Sequence, residues 1–364
     1  MAVGLMILLA VPVMKAGQEK SLNGKVFYLE QEGLSLAKKM ELAENKFRKE
    51  EKGEIFFTGY IFQSRFEIDM NGDYDSQSPY EVSSRHDEIR IRRKSGRREG
   101  FSMNSKKADR GGEMTGLLIM HQISGKKSDM MDMHIFDLDQ AYEFKDEPVY
   151  WLGPAETKES FRFLEKKFEA ADSELKETMV FTLYSHDTSL SYDFLFKTAQ
   201  GNDSDDVRKN AVFWLGNFKD QKSLDMLKRV FKNENSTELK KQVIFAINLS
   251  DSDEAVEELI KIAKQDSSGE VRKQAIFWLG QKASQKSIQA LKGVVDEDDE
   301  DTEVRKSAVF AISQLPSEKS VPILIDIAKT NKSPTVRKQA IFWLGQEESE
   351  EALKFFEEIL LKKK

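Results

Sequence analysis

Apolar residues recur in the second half of the chain with a period of about 32 residues. The string VRKQAIFWLG occurs at Val271–Gly280 and again, unchanged, at Val336–Gly345. Related strings extend the series to six copies and begin at Leu175, Val207, Leu239 and Val304. Apolar positions within each copy lie three or four residues apart, and a second segment with this helical spacing follows. The pattern predicts six stacked helical hairpins, preceded by a half repeat around Phe161.

Residue types that favour helix starts stand at the same places in every copy. Three residues before the first residue of each string are Asp172, Ser204, Ser236, Ser268, Asp301 and Ser333. Four residues before each matching position of the second segments are Thr157, Thr188, Asp220, Ser252, Ser284, Ser317 and Ser349. Such side chains accept hydrogen bonds from the free N–H groups of a helix. They predict two helices per repeat, from about residue 148 onward.

The element Val-Arg-x-x-Ala-x-x-x-Leu-Gly occurs in full at Val207, Val271 and Val336. It resembles HEAT repeats, specifically the short bacterial kind found in proteins of the phycobilisome-lyase type and in exported bacterial HEAT-repeat proteins. The resemblance implies a mainly α fold, a right-handed α-solenoid of HEAT-like helical hairpins. HEAT families serve mainly as protein-binding scaffolds and include a few enzymes. The resemblance therefore implies a fold and a protein partner more than a reaction.

A longer period of about 64 residues lies within the repeats. All four tryptophans occupy one repeat position, namely Trp151, Trp214, Trp278 and Trp343. The intervening copies carry small residues there, namely Thr182, Ala246 and Ala311. Because large residues facing small ones let layers interdigitate, we interpret the tryptophans as packing between repeats, with ligand stacking as the alternative. Residues 150–153 continue the series and predict that an abbreviated repeat opens the solenoid.

An aromatic residue precedes the tryptophan position in every copy. We call six of these residues the Phe ladder: Phe181, Phe213, Phe245, Phe277, Phe310 and Phe342. At 100° per residue, Phe342 lies about 240° from Val336, whereas the apolar stripe of that helix ends near 80° at Leu344. The ladder therefore faces away from the main stripe. It is either packed between neighbouring helices or exposed as an aromatic strip that binds a partner.

Charged residues form two further patterns in the repeats. A basic residue follows the first residue of each string, and we call five of these the basic ladder: Arg208, Lys240, Arg272, Arg305 and Arg337. In HEAT repeats this residue usually pairs with acidic groups of adjoining repeats, which is the expectation here. Residues 296–303 contain seven acids in eight positions. A solvated loop before a helix explains this run, with weak Ca²⁺ binding as the alternative.

The pattern changes in the first half of the chain. Residues 33–52 have apolar side chains at helical spacing and predict one amphipathic helix. Short β-type runs separated by turns predict a small antiparallel sheet and lie at 55–57, 60–62, 89–91, 117–120 and 133–136. The predicted segments are therefore a signal peptide over 1–17, a linker and helix over 18–53, an antiparallel β domain over 54–147 and the solenoid over 148–364.

Charge is unevenly distributed along the chain. The chain has 56 basic and 63 acidic residues and a net charge of −7, yet residues 85–110 contain ten basic and four acidic residues. Five arginines at its centre form a candidate anion patch: Arg90, Arg92, Arg93, Arg97 and Arg98. Acidic lipid or an acidic protein face would suit it, with a solvated strand and loop as the alternative. The net charge argues against general nucleic-acid binding.

The first fourteen residues are uncharged and are followed by Lys15. The run is shorter than the roughly 20 apolar residues of a membrane-spanning helix but fits the core of a signal peptide. Export to the periplasm or cell envelope is therefore expected, with no transmembrane span after signal removal. No Lys or Arg precedes the run, and cleavage after Ala16 or Gly17 follows unfavourable residues. An uncleaved anchor, a buried helix or a cytoplasmic protein with a misassigned start are the alternatives.

The sequence lacks the residue patterns of most catalytic sites. It contains no cysteine, which excludes disulfides, thiolate zinc sites, iron–sulfur clusters and thiol nucleophiles. The histidines have no metal-ligand spacing and are His86, His121, His134 and His186. Phosphate-binding glycine loops, GxSxG and HExxH are missing. We expect a monomeric, cofactor-free scaffold that binds another protein along the solenoid, with an enzyme or lyase-like accessory factor as the alternative.

Overall fold

The computed structural model describes residues 22–69, 80–85, 88–93, 102–104, 113–138, 141–297 and 301–361. The chain divides into two compact units, residues 1–195 and 196–364. The signal peptide predicted for residues 1–17 lies outside the described residues. No helix in the described part of the chain is both long and apolar enough to cross a membrane.

The first unit combines a sheet with helices. Its described elements are β1 (Leu22–Tyr28), α1 (Leu36–Glu50), β2 (Ile55–Ser64), β3 (Glu67–Asp69), β4 (Tyr80–Arg85), β5 (Glu88–Arg93), β6 (Ser102–Asn104), β7 (Glu113–Ser124), β8 (Lys127–Phe136), β9 (Tyr142–Pro154), α2 (Thr157–Phe168) and α3 (Ser173–Ser185). The main sheet has the order β5-β4-β9-β2-β7-β8, and β1 also pairs with β9. The predicted amphipathic helix is α1, and each predicted β run lies within a strand.

Strand β9 makes the sheet mixed. The pairs β2–β7, β7–β8 and β4–β5 are antiparallel, as predicted. Strand β9 runs parallel to β1, β2 and β4. The repeat pattern places residues 148–153 in the first helical repeat and therefore gives no indication of these parallel pairs. The sheet therefore spans residues 22–154 instead of 54–147, and the first repeat helix begins at Thr157.

Alternate residues of β2 face two separate cores. Phe57 belongs to a buried cluster that also contains Trp151 of β9. Phe56 lies on the opposite face of the strand and stacks on Phe47 of α1, with 4.7 Å between the ring centroids. The period of two residues along a strand places these neighbours on opposite faces. Strand β2 is consequently buried on both sides, which explains its continuous apolar sequence.

The second unit is a stack of helical hairpins. Helix α4 (Leu190–Gln200) leads into it, followed by α5 (Asp205–Gly216), α6 (Gln221–Asn233), α7 (Thr237–Asn248), α8 (Asp253–Gln265), α9 (Gly269–Lys282), α10 (Gln285–Asp296), α11 (Thr302–Ser313), α12 (Ser317–Thr330), α13 (Pro334–Leu344) and α14 (Glu350–Leu361). The odd-numbered helices from α5 to α13 pack side by side as a first-helix layer. The even-numbered helices from α6 to α14 form a second-helix layer. The predicted HEAT-like solenoid fold is confirmed.

Most predicted helix caps are present. The side chain of each predicted first-helix cap accepts a backbone N–H within the first turn. Two second-helix caps were predicted wrongly, because their hydroxyls have other partners. Thr157 accepts the N–H of Gln63 at 3.3 Å, and Glu156 caps α2 instead. Ser317 donates to the carboxylate of Glu347 at 2.6 Å, and α12 has no side-chain cap.

Narrow and wide junctions alternate along the first-helix layer. Gly216 of α5 lies against Ala246 of α7, so closely that a Cβ atom at Gly216 would be 2.8 Å from the Cβ of Ala246. A glycine and an alanine meet in the same way between α9 and α11. Between α7 and α9, the ring of Trp278 fills the junction and lies 5.1 Å from the ring of Phe245. This alternation gives the 64-residue period its physical basis.

Candidate partner-binding surface

Five members of the Phe ladder lie on the surface of the first-helix layer and belong to the second unit. Phe277 is 41% exposed and Phe342 is 55% exposed, while the other three are half-buried. Helical geometry explains the exposure. In α9, Val271 and Leu279 are buried, whereas Phe277 lies about 240° around the helix from Val271. The ladder therefore faces away from the core of the stack.

The tryptophans join these rings into two groups of contacting side chains, one on α5, α7 and α9 and the other on α11 and α13. We define the aromatic strip as Phe213, Trp214, Phe245, Phe277, Trp278, Phe310, Phe342 and Trp343. Each tryptophan makes an edge-to-face contact with the phenylalanine before it, at centroid distances of 4.8, 5.0 and 5.0 Å. Trp278 and Trp343 also contact the phenylalanine of the preceding repeat, at 5.1 and 5.2 Å. These distances suit aromatic pairs, so the strip is packed between repeats and partly exposed at once.

Two predicted members of the aromatic series lie in the first unit. Trp151 is buried on β9, where a Cβ atom on Gly59 would be 2.8 Å from its ring. The prediction that Trp151 opens the solenoid was wrong, because the space above a strand glycine accommodates this indole in the sheet core. Phe181 of α3 lies 6.2 Å from Phe66, centroid to centroid. Phe181 therefore packs within the first unit.

Three members of the basic ladder bind acidic groups in the loop that leads from their own repeat to the next one. The pairs are Arg208 with Glu234, Lys240 with Asp266, and Arg272 with Asp301. The Lys240 ammonium lies 2.8 Å from its carboxylate partner. Burial opposes ionisation of Glu234, but hydrogen bonds from the N–H of Ser236 and from Arg208 lower the pKa of this carboxyl. These partly buried pairs fasten one repeat to the next.

The other two members of the basic ladder bind neutral oxygens, which differs from the prediction. Arg305 is buried and donates to the carbonyl of Val295 and to the side-chain oxygen of Asn331, both at 3.1 Å. Arg337 donates to the backbone carbonyls of Asn331 and Lys332, at 2.7 and 2.9 Å. For Arg305 the difference arises because Asn331 stands at the loop position that Glu234 and Asp266 occupy in earlier repeats. The basic ladder therefore makes hydrogen bonds and ion pairs inside the solenoid.

The candidate anion patch is described only in part. Arg90, Arg92 and Arg93 lie on β5, at one end of the sheet order, where β5 pairs with β4. Arg97 and Arg98 lie outside the described residues. Binding of an anion to this patch stays a prediction.

The described histidines lie in the first unit, where His121 and His186 are buried and His134 is half-buried. Burial lowers the pKa of His121 and His186 to about 3 and that of His134 to about 4. The Nε2 atoms of His121 and His186 lie 2.8 Å from the hydroxyls of Thr58 and Ser160, respectively. Neutral, hydrogen-bonded histidines of this kind stabilise a core. Among the described residues, no group of His, Asp and Glu side chains has the arrangement of a metal site.

A family model described as HEAT repeats matches residues 192–265, 230–302, 256–345 and 297–364. These residues include the aromatic strip and the helices that carry it. The model thus matches residues 192–364, just under half of the chain, and the helical hairpins of these residues are similar to HEAT repeats. A comparison with curated proteins finds no match.

Several solved structures share part of the helical architecture. Human deoxyhypusine hydroxylase in complex with glycerol is 18% identical, over 55% of this chain and 77% of its own, with a TM-score of 0.25. AlkD2 from Streptococcus mutans is 20% identical, over 51% of this chain and 96% of its own, with a TM-score of 0.35. The CpcE–CpcF complex of phycocyanin lyase from Nostoc is 15% identical, over 51% of this chain and 76% of its own, with a TM-score of 0.32. Likenesses of this size carry no information about activity.

Proposed function

We propose that the chain is a scaffold that binds a partner polypeptide on its aromatic strip. The exposure of Phe277 and Phe342, each in contact with a tryptophan ring of the strip, is the observation that carries this proposal. Single exposed apolar residues are common on protein surfaces, but a contiguous aromatic patch is typical of an interaction site. Aromatic residues are also enriched at the centres of protein interfaces. That the chain has no enzymatic activity stays a prediction.

Amide side chains border the aromatic strip. One turn before the phenylalanine, four of the five first helices carry Asn210, Gln242, Gln274 and Gln339. Residues three apart are neighbours on a helix surface, so each amide lies beside a ring of the strip. An amide group both donates and accepts hydrogen bonds, as a peptide group does. The surface therefore combines apolar contact with groups that suit the backbone of a bound polypeptide.

The spacing of the helices favours an extended partner segment. Packed helices lie roughly 8–10 Å apart, and an extended chain rises roughly 3.3 Å per residue. About three residues of an extended segment therefore span the distance between neighbouring helices. A segment that crosses the first-helix layer in the polyproline II conformation, which has three residues per turn and rises about 3.1 Å per residue, would place every third side chain at the same position of successive repeats. We propose this binding mode for the partner.

The strip is tested by removing its two most exposed rings. A peptide selected from a display library against the intact chain serves as the ligand, and its Kd is measured by fluorescence anisotropy. The Phe277→Ala, Phe342→Ala double variant should bind at least about tenfold more weakly, which corresponds to about 1.4 kcal/mol. Its thermal midpoint should change little, because both rings are partly solvent-exposed and lie outside the buried core of the stack.

The Leu353→Ala variant is the matched control. Leu353 is 63% exposed on α14, outside the strip, so its truncation removes a similar exposed apolar side chain. Unchanged peptide affinity is expected for this control. Equal affinities of the wild type and the double Phe variant would contradict the proposal, as would a loss of affinity that parallels unfolding.

We also propose that this scaffold is exported. The uncharged run over residues 1–14 supports this proposal. N-terminal sequencing of the protein from its native source, with cell fractionation, tests it. Export predicts a start near residue 17 or 18 and recovery from the cell envelope or periplasm. An intact Met1 in a cytoplasmic fraction would contradict it.

A further inference from the structure

A basic groove lies between α6 and α8 in the second-helix layer. Its volume is about 450 Å³, within the range of roughly 300–1,000 Å³ that is common for ligand pockets. Phe231 and Ile262 supply its apolar lining. Four of its cations lie outside the basic ladder: Lys228, Arg229, Lys232 and Lys261. A fifth, Lys240, is already paired with Asp266 at 2.8 Å.

The packing of the stack explains why a groove opens at this place. In the first-helix layer, α5 and α7 approach closely through Gly216 and Ala246. In the second-helix layer, α8 packs against α10 and α12 packs against α14, whereas the groove separates α6 from α8. A junction that is narrow in one layer is therefore open in the other. The groove is a consequence of the 64-residue doublet.

The cations of the groove are only partly neutralised, since Lys228 lies 4.0 Å from Asp225 and Lys261 is paired with Glu258, which also lines the groove. The next junction has an ion pair between helices. There, Lys264 of α8 pairs with Glu297 at 2.8 Å. The equivalent residue of α6 is Lys232, which shares the groove with Lys261 and Gln265. The side chain of Lys261 is 62% exposed and lies 3.6 Å from its acidic neighbour on the same helix. Positive charge therefore remains available to an anion in this groove.

The basic lining is a property of this groove and is not required by the repeat. One doublet further along, between α10 and α12, the positions of the four cations hold Lys292, Gly293, Asp296 and Asp326. Cations near a helix C-terminus complement the helix dipole, but Asp296 stands at the position equivalent to Lys232. Dipole stabilisation alone therefore does not explain the lysine. The groove between α6 and α8 has three cations that the equivalent groove lacks, and it also has an aromatic ring, since the equivalent of Phe231 in α10 is Val295.

We infer that the groove binds an acidic segment of a polypeptide. An apolar side chain of the segment lies on Phe231 and Ile262, and flanking carboxylates pair with Arg229, Lys232 and Lys261. The combination of an apolar floor and a cationic rim fits a peptide better than a nucleic acid. A chain with a net charge of −7 repels a polyanion at long range, and four cations neutralise few phosphates. This site is independent of the aromatic strip, which lies in the other helix layer.

Binding of defined peptides to the full chain tests the site. The probe is a fluorescein-labelled peptide in which glutamates flank a single leucine, measured by anisotropy at low ionic strength. One control peptide has Gln in place of Glu, and a second has Ser in place of Leu. Saturable binding of the first peptide is expected, with at least tenfold weaker binding of both controls. Affinity should fall as salt is added, because the contacts are partly electrostatic.

Charge reversal locates the bound peptide. The Lys232→Glu, Lys261→Glu variant should lose at least tenfold in affinity, and Lys232→Glu alone should lose part of it. The control Lys319→Glu, Lys332→Glu makes the same charge change at exposed sites and should bind normally. The Phe277→Ala, Phe342→Ala variant should also bind this peptide normally, which separates the groove from the strip. Equal weakening by the lysine control, equal binding of the Gln peptide, or tighter binding of polyphosphate than of the peptide overturns the inference.

Discussion

Ser160 lies at the centre of a buried hydrogen-bond chain in the first unit. Its Oγ is 2.9 Å from the hydroxyl of Tyr60 and 2.8 Å from Nε2 of His186. Nδ1 of His186 lies 2.7 Å from the carbonyl of Thr182. Because a carbonyl only accepts, Nδ1 carries the proton, Ser160 donates to Nε2, and Tyr60 donates to Ser160. Each polar group of this hydrogen-bond chain therefore has a partner, and the bonds join β2, α2 and the end of α3.

Removing the central hydroxyl of this hydrogen-bond chain should lower the free energy of unfolding more than removing the hydroxyl at its end. Ser160→Ala leaves both the Tyr60 hydroxyl and Nε2 of His186 buried without partners, at about 1–3 kcal/mol for each group. Tyr60→Phe removes one hydroxyl and keeps the bond from Ser160 to His186, so we expect about 0.5–1.5 kcal/mol. Urea unfolding of both variants measures the difference. A larger loss for Tyr60→Phe than for Ser160→Ala would show that this donor order is wrong.

Buried histidines should make the first unit sensitive to mild acid. The pKa of His121 and of His186 is lowered by burial to about 3 in the folded chain, against about 6.5 when unfolded. Between these values the unfolded state binds more protons, so the free energy of unfolding falls as pH drops from about 6.5 towards 3, by at most about 1.4 kcal/mol per pH unit for each histidine. Urea titrations at several pH values should show a shallower slope for His121→Gln, His186→Gln. An unchanged slope would contradict the assignment.

The sequence predicts the structural roles of some individual residues and not of others. A helix cap such as Ser204 was predictable, because its side chain bonds a backbone N–H only three residues away. The structural role of His186 was not, because Ser160 and Phe62 reach it from distant parts of the chain. A lone histidine carries no signal of such partners. The same limit hid the groove lysines, whose neighbours lie on separate helices.

Strand β9 shows the corresponding limit for an element. Its sequence around Trp151 matches the helical repeat, so pattern alone placed these residues in the solenoid. Long-range contacts decide otherwise, because β1, β2 and β4 all pair with β9 and Gly59 makes room for the indole. The repeat helices were predictable because their caps and apolar stripes are local. Tertiary contacts override a short pattern more readily than a repeated one.

Two glycines on helices should respond oppositely to alanine. At Gly216 a new Cβ atom would lie 2.8 Å from both Cβ and O of Ala246, so Gly216→Ala must push α5 and α7 apart, at about 1–3 kcal/mol. At Gly293 of α10 the nearest atom is the flexible Lys264 ammonium, 3.5 Å away. Gly293→Ala should therefore stabilise by up to about 1 kcal/mol through helix propensity. Thermal unfolding compares them, and stabilisation by Gly216→Ala would disprove the narrow junction.

At the scale of the whole molecule, one stacking rule accounts for both proposed surfaces. The 64-residue doublet alternates Gly–Ala contacts with Trp–Phe contacts in the first-helix layer. The Trp–Phe contacts link the rings of the aromatic strip across the α7–α9 and α11–α13 junctions. The Gly–Ala contact between α5 and α7 opens the basic groove in the second-helix layer. Composition and net charge gave no indication of either surface, because both depend on which helices become neighbours.

The four tryptophans provide the most direct test of the central proposal. Three of them, Trp214, Trp278 and Trp343, belong to the strip, while Trp151 is buried in the sheet of the first unit. Labelling with 5-fluorotryptophan gives one ¹⁹F resonance for each, assigned by single Trp→Phe variants. Addition of the selected partner peptide should shift the resonances of Trp278 and Trp343 and leave that of Trp151 in place. Saturating peptide that shifts none of the three strip resonances would contradict binding at the aromatic strip.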